Sequence, residues 1–149
     1  MVMDMPVEEL CKFVGHDGSQ VVCPHLPDPA KRRGHHIQEI ILACMRLGKS
    51  ITPLEYQPVL ENSDGTRQLA RLNAPNVGYY WDLFSGYLDT SKGVLVGQAS
   101  HQGQPLPYNH AMACFFGVMF DPDGGEPFKA TRKNFEAMGF YPQCLWIVT

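Results

Sequence analysis

The fold of this chain is decided by residues 109–122, which read Asn-His-Ala-Met-Ala-Cys-Phe-Phe-Gly-Val-Met-Phe-Asp-Pro. The stretch predicts two short apolar strands joined by a two-residue loop at Phe116-Gly117, because strand residues alternate between faces and such loops make tight hairpins. In that register His110 lies diagonally across from Asp121 on the same face, within reach of its carboxylate. A histidine oriented by a carboxylate is half of a nucleophile–base–orienter triad. The hairpin therefore provides a candidate base, His110, and a candidate orienter, Asp121.

The same residues also fit a purely structural interpretation. A histidine at a strand end can bond the backbone, and Asp121-Pro122 is a common turn dipeptide. The contact between His110 and Asp121 also depends on the loop length, since a three-residue loop would shift the side-chain parity and separate the two groups. Both interpretations stay open on the sequence alone.

Length and composition predict one globular domain, residues 1–149. With 44% hydrophobic and 18% charged residues, the chain can bury a core of its own. The net charge of −3 gives no electrostatic reason to bind nucleic acid or an anionic membrane. No apolar run approaches the roughly 20 residues that span a bilayer. The N-terminus lacks a basic segment followed by an apolar one, so no signal peptide is expected and the cytoplasm is the expected compartment.

The five cysteines do not form a recognisable framework. Their number is odd and no two stand in a CxxC pair, which argues against a set of disulfides and against a structural zinc site of the usual spacing. We expect most of them to be small buried apolar residues. They are Cys11, Cys23, Cys44, Cys114 and Cys144.

Hydrophobic periodicity predicts an α+β arrangement, with helices first, mostly antiparallel strands after them and one helix inserted late. The helix at 35–47 is so rich in apolar residues that we expect it to be central, covered on most sides and packed on a small antiparallel sheet. The polar residues 98–109 predict a long loop. The other predicted helices are 6–14, 78–89 and 130–138, and the other predicted strands are 51–60 at a sheet edge, 94–96 and 144–148.

Asn109-His110-Ala111, followed after a few apolar residues and a turn by Phe120-Asp121-Pro122, resembles the His-Ala and Asp-Pro strands of papain-like cysteine peptidases. The closest subgroup is the bacteriocin-processing and related bacterial type. Gly93-Val94-Leu95-Val96 is similar to the strand that leads into that family's histidine loop. The resemblance covers the last third of the chain, and the first half shares only the layout of a helix ahead of an antiparallel sheet. It implies a papain-like fold in which His110 is the general base and Asp121 orients its imidazole.

The nucleophile is where the sequence departs from the family's pattern. The family places its cysteine at the start of the central helix, where the helix N-terminus lowers the thiol pKa and backbone donors hold the oxyanion. Here that helix begins Arg33-Gly34-His35-His36-Ile37, without a cysteine. Cys44 lies on the apolar side of the helix, and Cys114 lies about 13 Å from His110 along one strand, so neither is expected to be the nucleophile.

Cys23 is the substitute that the sequence offers. It precedes a proline-rich turn, and Gln20 stands shortly before it, as the oxyanion-hole glutamine does in the family. We therefore expect acyl transfer to Cys23, giving amide hydrolysis or transfer, with a peptide or protein as the substrate. The alternative is a papain-like domain without catalysis, in which His35 and His36 at the helix start bind a carboxylate or a peptide of a partner.

Metal binding is a further alternative, because possible ligands are numerous. Their spacing is poor, since adjacent residues on a helix such as His35 and His36 point about 100° apart. The sequence has no HExxH motif, no paired CxxC and no P-loop, so neither a metal nor a nucleotide cofactor is expected. The possible ligands are His16, Asp17, Cys23, His25, His35, His36, His101 and His110.

Overall fold

The computed structural model describes residues 6–19, 37–56, 81–101 and 104–149. Within these ranges the helices are α1 (Val7–Val14), α2 (Ile37–Arg46), α3 (Trp81–Thr90) and α4 (Arg132–Met138). The strands are β1 (Ile51–Glu55), β2 (Lys92–His101), β3 (Gln104–Phe115), β4 (Val118–Phe120), β5 (Phe128–Lys129) and β6 (Phe140–Val148). None of these helices has the length and apolar character that crossing a membrane requires.

Several predictions fall on the rest of the chain. The predicted strand residues 57–60 and helix residues 78–80 lie outside the described residues, and so do the first two positions of the helix expected at 35–47. The same holds for five residues that the sequence analysis named as site or ligand candidates, which are Gln20, Cys23, His25, His35 and His36.

The strands form one six-stranded antiparallel sheet in the order β1-β6-β2-β3-β4-β5. Together with the helices, this sheet confirms the predicted α+β class. β1 is an edge strand, as the sequence predicted from Pro53, because a proline has no backbone N–H to donate to a second neighbouring strand.

The β3–β4 hairpin has the register that the sequence predicts. Phe115 pairs with Val118, and the two loop residues, Phe116 and Gly117, have φ angles of 47° and 80°. Positive φ at both central residues is the type I′ geometry, whose twist matches the strands on either side. The Gly117 N–H also donates a hydrogen bond of 2.8 Å to the carbonyl of Leu88, which fixes the loop against α3.

The loop predicted at 98–109 is wrong for the residues of this stretch that the structure describes, because 98–101 belong to β2 and 104–109 belong to β3. Gln98 is only 3% exposed, and its side-chain amide donates a 3.4 Å hydrogen bond to the carbonyl of Leu106. A polar side chain can therefore be buried in this sheet when its amide is hydrogen-bonded. Composition alone does not distinguish such a strand from a polar loop. Pairing continues as far as His101 with Gln104.

Two elements near the C-terminus begin at different residues from those predicted. β6 starts at Phe140 rather than 144, and Pro142 is accommodated where the register against β2 shifts. α4 starts at Arg132 rather than 130, because the Thr131 hydroxyl accepts a hydrogen bond from the N–H of Asn134 and caps the helix. The short strand β5 was not predicted.

The main core lies on one face of the sheet, beneath α3 and α4. Residues three or four apart on a helix share a face, and so Phe84 and Leu88 of α3 both point at the strands. Phe135 does the same from α4. Burial of such side chains contributes about 1.5–3 kcal/mol each. The buried members are Phe84, Leu88, Leu95, Met112, Cys114, Met119, Ala130, Phe135, Phe140 and Leu145.

The helix expected to be central, here α2, is less covered than predicted. Its Cys44 packs with Val148 of β6 in a separate, smaller cluster, on the face opposite to Leu145. Leu42 and Met45 are 52% and 64% exposed, so the expectation of cover on most sides is wrong. Packing along one side is enough to hold an apolar helix such as α2 against the sheet. In the described part of the chain, α3 is the helix that packs over the middle of the sheet.

Candidate functional site

His110 and Asp121 are in direct contact, as the hairpin register predicts. His110 lies on β3 and Asp121 follows the last residue of β4, and the His110 Nε2 to Asp121 Oδ1 distance is 2.9 Å. Both side chains are largely buried, at 17% and 16% exposed. The same Asp121 oxygen accepts a 2.9 Å hydrogen bond from the N–H of Asp123, which fixes the carboxylate in a turn. The two-residue loop thus produces a pre-oriented histidine–carboxylate pair.

This geometry determines which ring nitrogen of His110 is available for chemistry. A carboxylate accepts hydrogen bonds, so the neutral imidazole carries its proton on Nε2 and its lone pair on Nδ1. No hydrogen bond to Nδ1 is made from the described ranges, and the nearest carboxylate oxygen, Asp123 Oδ2, lies 3.8 Å away. Asp123 is 85% exposed. His110 therefore presents a lone pair on Nδ1 while Asp121 holds the opposite side of the ring.

Two residues that the sequence analysis missed shape the surroundings of His110. Gly97 is its partner across β2 and β3, and the ring of Phe140 packs edge-on against the imidazole with centroids 6.2 Å apart. A Cβ on Gly97 would lie 2.5 Å from the Phe140 ring and 2.4 Å from the Tyr141 carbonyl oxygen. Only glycine therefore allows the ring to lie here. A glycine that interrupts an apolar strand is the signal that could have indicated this close approach.

A cavity lies on each side of α4. One, of about 290 Å³, includes Asp121 itself, and its other lining residues are Gly124, Gly125, Glu126, Phe128, Asn134, Ala137 and Met138. The other, of about 320 Å³, includes Phe140, the ring that packs against His110. Its remaining lining residues are Tyr56, Trp81, Arg132, Phe135, Glu136, Tyr141 and Pro142. We call this second one the aromatic cavity.

Three of the described thiols have the character of core residues. Cys114 is fully buried, its sulfur lies 3.5 Å from the Leu88 carbonyl oxygen, and burial raises the pKa of its thiol to about 11. Burial also raises the pKa of Cys44, and burial followed by the charge of Glu55 raises that of Cys144. A raised pKa disfavours the thiolate that attacks an acyl carbon. These three are therefore poorly suited to be nucleophiles, as the sequence analysis expected for Cys44 and Cys114.

Four residues that the sequence predicts to act with His110 lie outside the described residues. They are Gln20, Cys23, His35 and His36. Of the other possible metal ligands, His16 bonds Glu39 through Nε2 at 2.8 Å, and its Nδ1 accepts the N–H of Gly18 at 3.1 Å. Both nitrogens of that ring are thereby occupied in the structure.

One group of side chains could hold a metal ion among the residues that the structure describes. Ligand atoms of His110, Asp121 and Asp123 all lie within 4.8 Å of one another. Imidazole and carboxylate donors suit zinc and several other divalent ions. His110 is among the metal ligands predicted from the sequence, whereas the two aspartates are not. The Asp-Pro-Asp-Gly turn brings them beside the histidine.

Comparison with known proteins adds no relative. No family model matches the sequence, and no curated protein and no solved structure matches the chain.

Proposed function

We propose that this protein is a papain-like cysteine peptidase or a related amide hydrolase or acyl transferase. In this proposal His110 is the general base, Asp121 orients it and Cys23 is the nucleophile. Gln20 supports the oxyanion, and His35 and His36 contribute to binding a peptide or protein substrate. Cys114 and Cys144 are free thiols, which supports the cytoplasm as the proposed compartment.

The observation that carries this proposal is the 2.9 Å contact between His110 Nε2 and Asp121 Oδ1. It gives the ring a fixed orientation and a lone pair on Nδ1, which are what a general base needs. Because the carboxylate also stabilises the imidazolium once the ring takes up a proton, the pair favours proton transfer from a thiol.

The reaction would proceed in two halves. His110 Nδ1 takes the thiol proton of Cys23, and the sulfur forms a bond to the carbonyl carbon of the amide. The carbon–nitrogen bond then breaks, and the imidazolium gives its proton to the departing amine, which leaves a thioester on the sulfur. Water or another amine, deprotonated by the same nitrogen, attacks the thioester and restores the thiol. Hydrolysis and transfer differ only in this second nucleophile.

Alkylation of the full chain by iodoacetamide at pH 6, mapped by mass spectrometry, tests the proposal. An ordinary thiol with a pKa of about 8.5 is roughly 0.3% ionised at this pH, whereas a thiolate held by an imidazolium is mostly ionised. We expect Cys23 to react about 100 times faster than the other thiols. Cys44, Cys114 and Cys144, whose pKa values burial raises, are the internal controls. Uniformly slow labelling of all five cysteines would instead favour the non-catalytic domain that binds a peptide.

Divalent-metal binding is a second candidate function, supported by the clustering of His110, Asp121 and Asp123. Protein purified without a histidine tag and analysed for its elements would then carry about one equivalent of zinc, since three protein ligands suffice for such a site. Asp123→Asn should remove the metal, and Asp17→Asn, an exposed aspartate beside the other described histidine pair, should not. Less than about a tenth of an equivalent in the native protein would end this candidate.

A further inference from the structure

The aromatic cavity combines apolar walls with one cationic and one anionic side chain. Phe135 and Phe140 are buried at its base, and Trp81 and Tyr56 are half-buried at its side. The Trp81 ring meets the rings of Tyr56 and Phe135 edge-on, with centroids 5.8 and 6.0 Å away. Aromatic walls of this kind favour an apolar or aromatic group over a polar one.

The two charged groups of the cavity come from one face of α4. Arg132 and Glu136 are one turn apart and line the same cavity, but no ion pair joins them in the described part of the chain. The Arg132 guanidinium lies 5.8 Å from the centre of the Trp81 ring, and its only described hydrogen bond is a long one, 3.5 Å, to the Tyr56 hydroxyl. A guanidinium has five N–H donors, and in the described part of the chain only one of them has an acceptor, at this long distance.

Peptides match this combination of groups. Arg132 can donate to a backbone carbonyl, the Glu136 carboxylate can accept from a backbone N–H, and the aromatic walls can enclose a side chain. The opposite charges of the two groups leave the lining neutral, which disfavours a strongly charged side chain. The volume of about 320 Å³ is at the lower end of the range for small-molecule sites and is enough for one large side chain.

The position of the cavity connects it to the candidate active site. Phe140 lines the cavity and also packs against the His110 imidazole. We infer that the aromatic cavity binds the aromatic or large apolar side chain of a peptide, with its backbone held by Arg132 and Glu136. This inference rests on the proposed function, which makes a peptide the ligand. It adds that the peptide carries an aromatic or large apolar side chain close to the proposed base.

Fluorine NMR of the full chain labelled with 5-fluorotryptophan tests the inference independently of any reaction. The chain has two tryptophans, of which Trp81 lines the cavity and Trp146, on the opposite face of β6 from Leu145, serves as the internal control. The probes are N-acetylphenylalanine amide and N-acetylalanine amide, added at millimolar concentration. We expect the phenylalanine probe to shift the Trp81 resonance and leave Trp146 unchanged, and the alanine probe to bind about tenfold more weakly.

Two neighbouring exposed cations on α4 provide matched variants. Arg132→Ala removes the guanidinium donors at the cavity and should weaken binding of the phenylalanine probe about tenfold, since a charged donor is lost. Lys133→Ala removes the same charge from a residue that does not line the cavity and should change binding less than about twofold. Equal affinity for both probes, absence of any shift at Trp81, or equal effects of the two variants would each overturn the inference.

The test separates failure of this inference from failure of the proposed function. If the phenylalanine probe binds selectively but every cysteine is labelled slowly, the side-chain site is supported and the proposed catalytic role is contradicted. If Cys23 is labelled fast but the two probes bind equally, the catalytic role is supported and the side-chain site is contradicted.

Discussion

Two hydrogen-bonded histidine–carboxylate pairs lie within the described residues, and they differ in the partner of the second ring nitrogen. His16 contacts Glu39 through Nε2 at 2.8 Å, and His110 contacts Asp121 through Nε2 at 2.9 Å. The histidines are similarly buried, at 14% and 17% exposed. The carboxylates differ more, since Glu39 is 36% exposed and Asp121 is 16% exposed.

The difference lies in the Nδ1 atoms. His16 Nδ1 accepts a hydrogen bond from the N–H of Gly18, so the ring joins the turn after α1 to the helix α2. His110 Nδ1 receives no hydrogen bond from the described residues and faces the exposed carboxylate of Asp123. The same two functional groups thus make a structural link in one place and a candidate base in the other. Distance and burial of a pair do not separate these roles, but the hydrogen bonding of both ring nitrogens does.

Removing each histidine in turn gives the largest expected difference between the pairs. In the iodoacetamide experiment at pH 6, His110→Ala should slow the labelling of Cys23 about 100-fold, because the thiol loses its base. His16→Ala should leave the rate within about twofold, although it costs stability through the lost links. The comparison fails if the two variants slow labelling equally, or if neither does.

Gly97 tests whether the sheet holds the His110 pair in place. Gly97→Ala should lower the free energy of unfolding by about 2 kcal/mol, because its Cβ would overlap the Phe140 ring and the Tyr141 carbonyl. Gly86→Ala is the matched control in α3, where a Cβ meets nothing within 4 Å. It should instead raise stability by about 0.5–1 kcal/mol through helix propensity. Urea denaturation measures both changes, and a neutral Gly97→Ala would contradict the packing described around His110.

Neutralising each carboxylate gives the smallest of the three effects. Asp121→Asn should slow the labelling of Cys23 about tenfold, since an amide stabilises the imidazolium less well and permits the other tautomer. Glu39→Gln should change the rate less than about twofold. Rates for the native chain and both variants, measured at one pH, check this directly. An Asp121→Asn rate equal to that of the native chain would mean that the carboxylate does not orient the base.

The hairpin could be predicted from the sequence because its information is local. A two-residue loop ending in glycine and the alternation of side chains on either side determine which residues face each other, and this placed His110 against Asp121. Asp123 is equally close in sequence to the hairpin. The turn dipeptide Asp121-Pro122 does not, however, reveal where the side chains of the turn point. The pair was therefore predicted in position, and the state of its ring nitrogens was not.

The rest of the site depends on contacts between distant segments. Phe140 reaches His110 because β6 pairs with β2, and the close approach requires a glycine at 97. A glycine that interrupts an apolar strand can indicate a close approach, but it does not identify the ring that approaches. The prolonged strands around Gln98 were missed for the same reason, since a buried polar side chain is satisfied by its partner strand. The exposure of Leu42 on α2 likewise depends on which neighbours pack on that helix. Periodicity gives the elements, but their partners come from tertiary packing.

The central claim is that His110 keeps its proton on Nε2 and a lone pair on Nδ1. Nitrogen NMR of the full chain with ¹⁵N-labelled histidine, recorded in alkaline solution, measures this directly, with His110→Ala and His16→Ala to assign the two rings. We expect protonated Nε2 in both histidines, a hydrogen-bonded Nδ1 in His16, and an Nδ1 in His110 that is unprotonated and accepts no backbone hydrogen bond. A proton on Nδ1 of His110 would contradict the claim, because the lone pair would then face Asp121 and the pair could not act as the base.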